Sequence, residues 1–264
     1  MNISLHGKRA IVSGSTAGIG LAIAFGLAES GAEVVLNGRS KARVDAAVKQ
    51  LRGKFPGVKV SGVVADLGTA EGAEKLFAKV PQADILVNNL GIFEPKGFFE
   101  ISDEEWRNFF EVNVMSAVRL SRHYAPGMAE RGWGRVLFLS SESAVQIPVE
   151  MVHYGTTKTA LLAVSRGLAE TLAGTGVTVN AVLPGPTRSE GVGEFFQKMA
   201  KEQGLSSDKM EANFIAEHRP TSLIKRLATV EEVASMVVYL ASCQASATTG
   251  AALRVDGGVV RSIV

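Results

Sequence analysis

Short apolar runs alternate with longer stretches of helical periodicity along almost the whole chain. The apolar runs predict seven β-strands, at residues 9–13, 33–37, 58–65, 84–88, 134–140, 177–183 and 249–258. Apolar positions spaced three and four apart predict helices between them, at residues 21–28, 42–55, 70–80, 103–131, 154–174 and 230–241. Because crossovers between parallel strands are right-handed, this order predicts an α/β fold. It is a doubly wound, seven-stranded parallel sheet with helices on both faces.

One domain accounts for the whole length. The chain has 264 residues, of which 46% are hydrophobic, and this suits one large α/β unit with a sizeable core. It has no internal repeat, low-complexity tract or linker. Residues 1–264 are therefore predicted to form a single Rossmann-type domain, which binds ligands at the carboxyl ends of its strands.

Charge, cysteine and histidine content argue against several classes of protein. The formal net charge is +2, so neither nucleic acid nor an acidic membrane is an implied partner. The single cysteine, Cys243, allows no internal disulfide, and the four histidines show no ligand spacing, so no metal site is expected. No apolar run reaches the roughly 20 residues that span a bilayer, and no secretion signal is apparent. We therefore expect a cytoplasmic protein.

A glycine-rich turn, Gly14-Ser15-Thr16-Ala17-Gly18-Ile19-Gly20, joins the first strand to the first helix. Such a turn lets backbone approach a diphosphate, and the helix that follows offers free N–H groups to it. The spacing is Gly-x-x-x-Gly-x-Gly, so the more common Gly-x-Gly-x-x-Gly pattern is absent. Its place between strand and helix still favours a dinucleotide cofactor.

Arg39 follows the second predicted strand, where an acidic residue would otherwise bind the 2′-hydroxyl of an adenine ribose. A guanidinium at this place suits a 2′-phosphate, so NADP(H) is favoured over NAD(H). The alternative is that Arg39 merely lies in solvent beside the loop. Asp66 and Asn89 follow the next two strands, and we expect them at the same edge of the sheet.

The segment from Ser141 to Lys158 carries the candidate chemistry. Tyr154 and Lys158 are four residues apart, so they share one face of the predicted helix. An ammonium beside a phenol favours the phenolate and brings its pKa toward neutrality, and the Ser141 hydroxyl can bond the same substrate oxygen. The combination suits proton exchange with a carbonyl or an alcohol, although Tyr-x-x-x-Lys alone also occurs by chance.

Two further segments have an interpretation of their own. Asn113 places an amide among apolar residues of the predicted 103–131 helix, which starts with the capping-box residues Ser102 and Glu105. A buried amide needs partners and often marks a kink or a bound water, although a simple surface position is the alternative. Residues 190–226 are charged, aromatic and glycine-containing, which predicts a small helical lid over the site or else a surface decoration.

Taken together, these residues resemble the short-chain dehydrogenase/reductase family over nearly the whole chain, and most closely its bacterial 3-oxoacyl-carrier-protein reductase-like members. The matching pieces are Gly14-x-x-x-Gly18-Ile19-Gly20, Asp66-Leu67, Asn88-Asn89-x-Gly91, Asn113, Ser141, Tyr154-x-x-x-Lys158, Pro184-Gly185 and Val255-Asp256-Gly257-Gly258.

The resemblance implies a catalytic tetrad. Tyr154 would be the general acid/base, and Ser141 would orient and polarise the substrate carbonyl. Lys158 would lower the pKa of Tyr154 and hold the nicotinamide ribose, and Asn113 would fix a water that links Lys158 to solvent. The implied cofactor-binding residues are Gly14, Ser15, Thr16, Gly18, Ile19, Gly20, Arg39, Asp66, Leu67, Asn89, Gly91, Tyr154, Lys158, Pro184, Gly185 and Thr187.

Four positions depart from the family pattern. Leu90 stands for a smaller alanine near the cofactor, and Ser13 and Ser189 stand for threonines. Glu142 follows the catalytic serine, where the family usually has a small or neutral residue. We expect it to pair with Arg188, the alternative being recognition of a cationic or hydroxylated substrate.

The predicted function is hydride transfer between NADP(H) and a carbonyl or secondary alcohol, with Tyr154 as general acid/base. The alternatives are a non-catalytic NADP sensor or scaffold and a nicotinamide-recycling epimerase or dehydratase. The substrate is a small molecule that we expect to lie against residues 142–153, near Gln146, Glu150 and His153, and against the lid. The family also implies a homotetramer, or a homodimer, paired through the helices at 103–131 and 154–174.

Overall fold

The computed structural model describes residues 2–190, 192–193 and 206–263. Its strands are β1 Arg9–Val12, β2 Glu33–Gly38, β3 Val60–Val64, β4 Ile85–Asn88, β5 Gly134–Leu139, β6 Val177–Pro184, β7 Thr187–Arg188, β8 Ala228–Thr229 and β9 Ala252–Val255. Its helices are α1 Gly18–Glu29, α2 Lys41–Lys54, α3 Ala70–Lys79, α4 Asp103–Phe110, α5 Ser116–Glu130, α6 Val152–Thr171, α7 Ser207–His218 and α8 Val230–Ala241.

The predicted seven-stranded parallel sheet is confirmed. Its strand order is β3-β2-β1-β4-β5-β6-β9, and every neighbouring pair is parallel. The order reverses direction between β1 and β4, and in open α/β sheets such a switch point is where ligands bind. In the register, Val12 lies opposite Leu36 on one side and Val87 on the other, so the residues that follow these strands meet at one edge.

Apolar side chains fill both faces of this sheet. One cluster lies between the sheet and helices α1 and α8, and the other lies between the sheet and helices α3, α5 and α6. The central strands β4, β5 and β6 are buried at every residue, as expected for parallel strands covered on both sides. The carboxyl edge is therefore the part of the sheet where polar side chains can be exposed to a ligand.

The predicted helix at residues 103–131 is interrupted. It starts with the expected capping box, in which Ser102 and Glu105 bond each other's backbone N–H groups. Residues Glu111–Met115 then form a π-helical segment, so the structure has α4 and α5 instead of one continuous helix. Asn113 lies within this segment and is fully buried, which agrees with the expectation that a buried amide marks a kink.

The lid predicted at residues 190–226 lies partly outside the described residues, since 191 and 194–205 are not among them. The described part includes α7, whose Met210 and Ile215 pack with Leu227 in a small apolar cluster of their own. The short pair β7 and β8 holds the two ends of this region together. No described helix is both long and apolar enough to cross a membrane.

Candidate active site

Hydrogen bonds between the ends of β1 and β4 build one wall of the site. The Ser13 hydroxyl accepts from the backbone N–H groups of Asn89 and Leu90, at 2.9 and 3.0 Å. The Asn89 side chain in turn donates to the carbonyl oxygens of Ser13 and Gly14, at 2.9 and 3.0 Å. Ser13 and Leu90 both depart from the family pattern. The Ser13 hydroxyl and the Leu90 backbone are thus part of the link between the two strands.

The glycine turn packs tightly against its neighbours at its helical end. A Cβ atom on Gly20 would lie 2.5 Å from both the Asn89 amide nitrogen and the Gly14 carbonyl oxygen, so only glycine fits. Helix α1 starts at Gly18, and Ala17 before it supplies no side-chain cap. The first N–H groups of α1 therefore remain available to an anion.

Ser15 and Thr16 differ in how their side chains are placed. The buried Ser15 hydroxyl donates to the Val12 carbonyl at 2.7 Å and accepts from the Asn37 N–H at 2.9 Å. Its backbone N–H also donates to the Asn37 carbonyl, at 2.9 Å, so Ser15 ties β1 to β2 through both groups. Thr16 is partly exposed and lies against Gly38, whose added Cβ would be 2.6 Å from the Thr16 methyl group.

Arg39 is exposed at the end of β2 and makes no hydrogen bond or ion pair with the described residues. The neighbouring Arg43 differs, because it pairs with Glu190 at 2.9 Å. At the end of β3, Asp66 is exposed and accepts from the Gly68 N–H at 3.0 Å, whereas Leu67 is buried. Arg39 and Asp66 thus place an exposed cation and an exposed carboxylate after β2 and β3.

Lys158 is buried on α6, and its ammonium donates to the Leu139 carbonyl at 2.9 Å. Its nitrogen lies 5.5 Å from the centre of the Tyr154 ring, so the predicted pair shares one face of the helix. Burial lowers the pKa of Lys158 to about 8. A Cβ atom on Gly91 would lie 3.2 Å from the Lys158 nitrogen and 3.4 Å from the Asn113 carbonyl oxygen, so both side chains converge there.

The pKa of Tyr154 is raised, which is opposite in direction to the predicted effect of Lys158. Burial of the phenol is the largest cause, and the Glu142 carboxylate adds to it; a hydrogen bond with Ser141 and the charge of Arg219 oppose the rise. The sequence could not show how little water reaches this phenol. At neutral pH Tyr154 is therefore a neutral hydroxyl, which can donate a proton.

The Asn113 side chain forms hydrogen bonds to two elements that carry site residues. Its amide oxygen accepts from the Ile92 N–H at 2.7 Å, and its amide nitrogen donates to the Ile92 carbonyl at 3.0 Å and to Thr157 at 2.9 Å. Since Thr157 precedes Lys158 on α6, Asn113 links the loop after β4 to the helix that carries the ammonium. The water contact implied for Asn113 stays a prediction.

Glu142 pairs with Arg219, and the expected pairing with Arg188 is wrong. One carboxylate oxygen of the buried Glu142 accepts from the Ser141 hydroxyl at 2.6 Å, and the other accepts from Nε of Arg219 at 3.0 Å. Arg188 instead pairs with Glu211 on α7, at 2.7 Å. The loop from β5 and the end of α7 come together only in the folded chain, so sequence order gave no sign of this partner.

A cleft of about 270 Å³ unites these groups. Its lining includes the predicted residues Ile19, Asn89, Gly91, Ser141, Tyr154, Lys158, Pro184, Gly185 and Thr187. It also includes Met151, Phe214 and Arg219, which lie in the two segments expected to contact the substrate, and Phe93, for which the sequence carried no specific signal. His153, expected near the substrate, instead packs against Phe109 at 3.9 Å between ring centres, outside the lining.

No cluster of potential metal ligands occurs among residues 2–190, 192–193 and 206–263. The described cleft holds a phenol, a hydroxyl and an ammonium, those of Tyr154, Ser141 and Lys158. All three side chains lie beside the glycine turn, in the crevice where the strand order reverses.

Comparison with known proteins agrees with this architecture. Residues 14–260 match a family model described as "Enoyl-(Acyl carrier protein) reductase". The chain is 49% identical over 263 residues to "Uncharacterized oxidoreductase YvaG" of Bacillus subtilis, with 100% of both chains covered. It is 34% identical to "3-oxoacyl-[acyl-carrier-protein] reductase FabG" of Aquifex aeolicus, covering 98% of this chain and 100% of that one.

A solved structure is similar over the full length. The L-sorbose reductase from Gluconobacter frateurii, complexed with NADPH and L-sorbose, has a TM-score of 0.93 and 36% identity, with 100% of both chains covered. The glycine turn, the ordered strand-end residues and these likenesses all lead to the same assignment. The chain belongs to the short-chain dehydrogenase/reductase family and is an NAD(P)-dependent oxidoreductase of carbonyl and alcohol groups.

Proposed function

We propose that this protein is an NADP(H)-preferring reductase of carbonyl compounds, with Tyr154 as the proton donor. The observation that carries the proposal is the convergence of Tyr154, Ser141 and Lys158 in one cleft beside the glycine turn. The protonated phenol of Tyr154 suits this role, because at neutral pH it carries the proton that the carbonyl oxygen takes up.

The chain's own residues fit a dinucleotide. The uncapped start of α1, which follows the glycine turn, suits a diphosphate. The exposed guanidinium of Arg39, unpaired within the described part of the chain, suits a 2′-phosphate, which favours NADP(H) over NAD(H). Asp66, Leu67, Asn89, Gly91, Pro184, Gly185 and Thr187 would complete the binding surface.

When bound, the nicotinamide exchanges a hydride with the substrate carbon. Tyr154 gives its phenolic proton to the carbonyl oxygen as that oxygen gains negative charge. The Ser141 hydroxyl lies beside the phenol and would orient the same oxygen by turning its O–H from Glu142 to the substrate. The buried ammonium of Lys158 stabilises the tyrosinate that results. In the reverse direction the same tyrosinate accepts the proton of a secondary alcohol.

The experiment is turnover of a carbonyl panel by the purified protein with NADPH and with NADH. Stoichiometric formation of alcohol and oxidised cofactor, with higher kcat/KM for NADPH, is the expected result. Binding of NADPH without turnover of any substrate would instead favour a sensor or scaffold. Product formation without net NADPH oxidation would favour an epimerase or dehydratase. A cytoplasmic location and a homotetramer paired through the α4–α5 and α6 helices remain part of the proposal.

A further inference from the structure

The Ser141 hydroxyl has a defined hydrogen-bond direction, which its neighbour Glu142 sets. A serine hydroxyl has one proton to donate and two lone pairs that accept. The Ser141 proton goes to Oε2 of Glu142, at 2.6 Å, and one lone pair accepts from the Ser143 N–H, at 3.1 Å. Ser141 and Glu142 are both buried, and both line the cleft. With these two partners among the described residues, Ser141 offers the cleft a lone pair and no proton.

The cations near Glu142 do not compete with it for the Ser141 proton. The second oxygen of Glu142, Oε1, accepts from Nε of Arg219 at 3.0 Å. Lys158 lines the same cleft, and its ammonium donates to the Leu139 carbonyl at 2.9 Å. A guanidinium and an ammonium donate hydrogen bonds and have no lone pair with which to accept one. The carboxylate of Glu142 is therefore the group that takes the Ser141 proton.

Tyr154 complements this direction. Its phenol makes a hydrogen bond with Ser141, and burial together with the charge of Glu142 raises its pKa, so at neutral pH the phenol carries a proton. A donor on Tyr154 beside a lone pair on Ser141 matches an alcohol, whose hydroxyl both accepts and donates. A carbonyl oxygen only accepts. It can bond the Tyr154 proton, but it also meets the Ser141 lone pair unless Ser141 turns its proton away from Glu142.

We propose that Glu142 is a positioning residue, which sets the hydrogen-bond direction of Ser141 and thereby favours binding of the alcohol over binding of the carbonyl compound. For the carbonyl compound to receive a second hydrogen bond, Ser141 must give up its bond to a carboxylate, and bonds with one charged partner are among the stronger ones. The equilibrium between free reactants and products is unaffected, so Glu142 acts on the two binding steps. This inference rests on the proposed function and adds to it what distinguishes the two bound states.

Glu142→Gln reverses the direction with little change in shape. Nε of Arg219 is a donor, so the amide oxygen of the variant faces it and the amide nitrogen faces Ser141. Ser141 then accepts from two N–H groups, that of Ser143 and that of the amide, and its own proton turns to the cleft. The variant therefore offers a second donor to a carbonyl oxygen and no longer offers a lone pair to an alcohol.

The test measures the binding of a matched pair, namely the compound of the carbonyl panel that the wild type reduces fastest and the alcohol formed from it. Calorimetry gives the Kd of the carbonyl compound in the presence of NADP⁺ and the Kd of the alcohol in the presence of NADPH, because neither of these complexes can react. The ratio of the first Kd to the second should fall roughly 10- to 100-fold in Glu142→Gln, which is the equivalent of one charged hydrogen bond.

Two further variants show whether Glu142 acts through Ser141. Ser141→Ala removes the hydroxyl itself, so its ratio should lie between those of the wild type and Glu142→Gln. Adding Glu142→Gln to Ser141→Ala should change the ratio by less than about twofold, because the hydroxyl that Glu142 directs is then absent. Glu211→Gln is the matched control, since Glu211 also pairs with an arginine, Arg188, but does not line the cleft. It should keep the wild-type ratio.

The outcomes separate this inference from the function on which it rests. An unchanged ratio in Glu142→Gln or in Ser141→Ala, or an equal fall in Glu211→Gln, would overturn the inference. A further large fall on adding Glu142→Gln to Ser141→Ala would overturn it as well, since Glu142 would then act without the hydroxyl. Failure of the wild type to turn over any compound of the panel is a different outcome, which refutes the proposed function.

Discussion

Replacement of Arg39 by alanine should change the affinity for NADPH but not the affinity for NADH. Arg39 is exposed, follows β2 and has no partner among the described residues, so its replacement by alanine breaks no contact within that part of the protein. Any change in cofactor affinity then reports directly on a contact that Arg39 makes with the cofactor. NADPH differs from NADH only in its 2′-phosphate, and the predicted loss is therefore confined to NADPH.

The magnitude follows from the type of contact. A hydrogen bond between charged partners contributes about 1.5–3 kcal/mol, and exposure of the guanidinium favours the lower half of this range. Since about 1.4 kcal/mol corresponds to a tenfold change, Arg39→Ala should weaken NADPH binding roughly 10- to 40-fold. Its Kd for NADH should change by less than about threefold.

The assay is a fluorescence titration of the reduced nicotinamide for wild type, Arg39→Ala and Arg43→Ala. Arg43 is the matched control, because Glu190 at 2.9 Å already offsets its charge. We expect Arg43→Ala to leave the ratio of the two Kd values near that of the wild type. Equal weakening of both cofactors by Arg39→Ala, or the same selective loss in Arg43→Ala, would refute the reasoning.

Two further predictions concern the glycine turn and the buried ammonium. Gly20→Ala places a Cβ atom 2.5 Å from Asn89 and Gly14, so calorimetry should show that the affinity for the cofactor falls at least about tenfold. Gly53→Ala is the control, because its Cβ atom has nothing within 4 Å, and this variant should bind the cofactor with wild-type affinity. The pKa of Lys158 is lowered from 10.5 to about 8, so between these values the unfolded chain holds its proton more tightly. The free energy of unfolding of the cofactor-free protein should therefore rise from pH 8 toward pH 10.5, by up to about 3 kcal/mol. Urea denaturation at several pH values measures this rise, and the Lys158→Met variant should lack it.

The fold was predictable because its signals are local. Seven short apolar runs gave the seven strands of the main sheet, and handedness then gave its parallel arrangement. The capping residues Ser102 and Glu105 also act over a single turn, and the predicted start of α4 is confirmed. The continuity of the 103–131 helix was wrong because the π-helical segment depends on the partners of Asn113, one of which is 44 residues away.

The order of the site residues was predictable, whereas their electrostatics were not. Strand ends in a parallel sheet converge by geometry, so the sequence placed Ser141, Tyr154 and Lys158 together. The direction of the Tyr154 pKa shift depends on burial, and the partner of Glu142 lies 77 residues away. Neither the pKa shift nor the ion-pair partner can be predicted from a short segment of the sequence.

The most direct test of the catalytic assignment is hydride transfer in Tyr154→Phe preloaded with NADPH and mixed rapidly with a substrate that the wild type reduces. Phenylalanine keeps the ring and removes only the phenolic hydroxyl group, so NADPH binding should stay within about threefold of wild type. Oxidation of the bound NADPH should slow by roughly two to four powers of ten, the usual contribution of a positioned acid. Oxidation at the wild-type rate would show that the proton comes from elsewhere and would contradict the account.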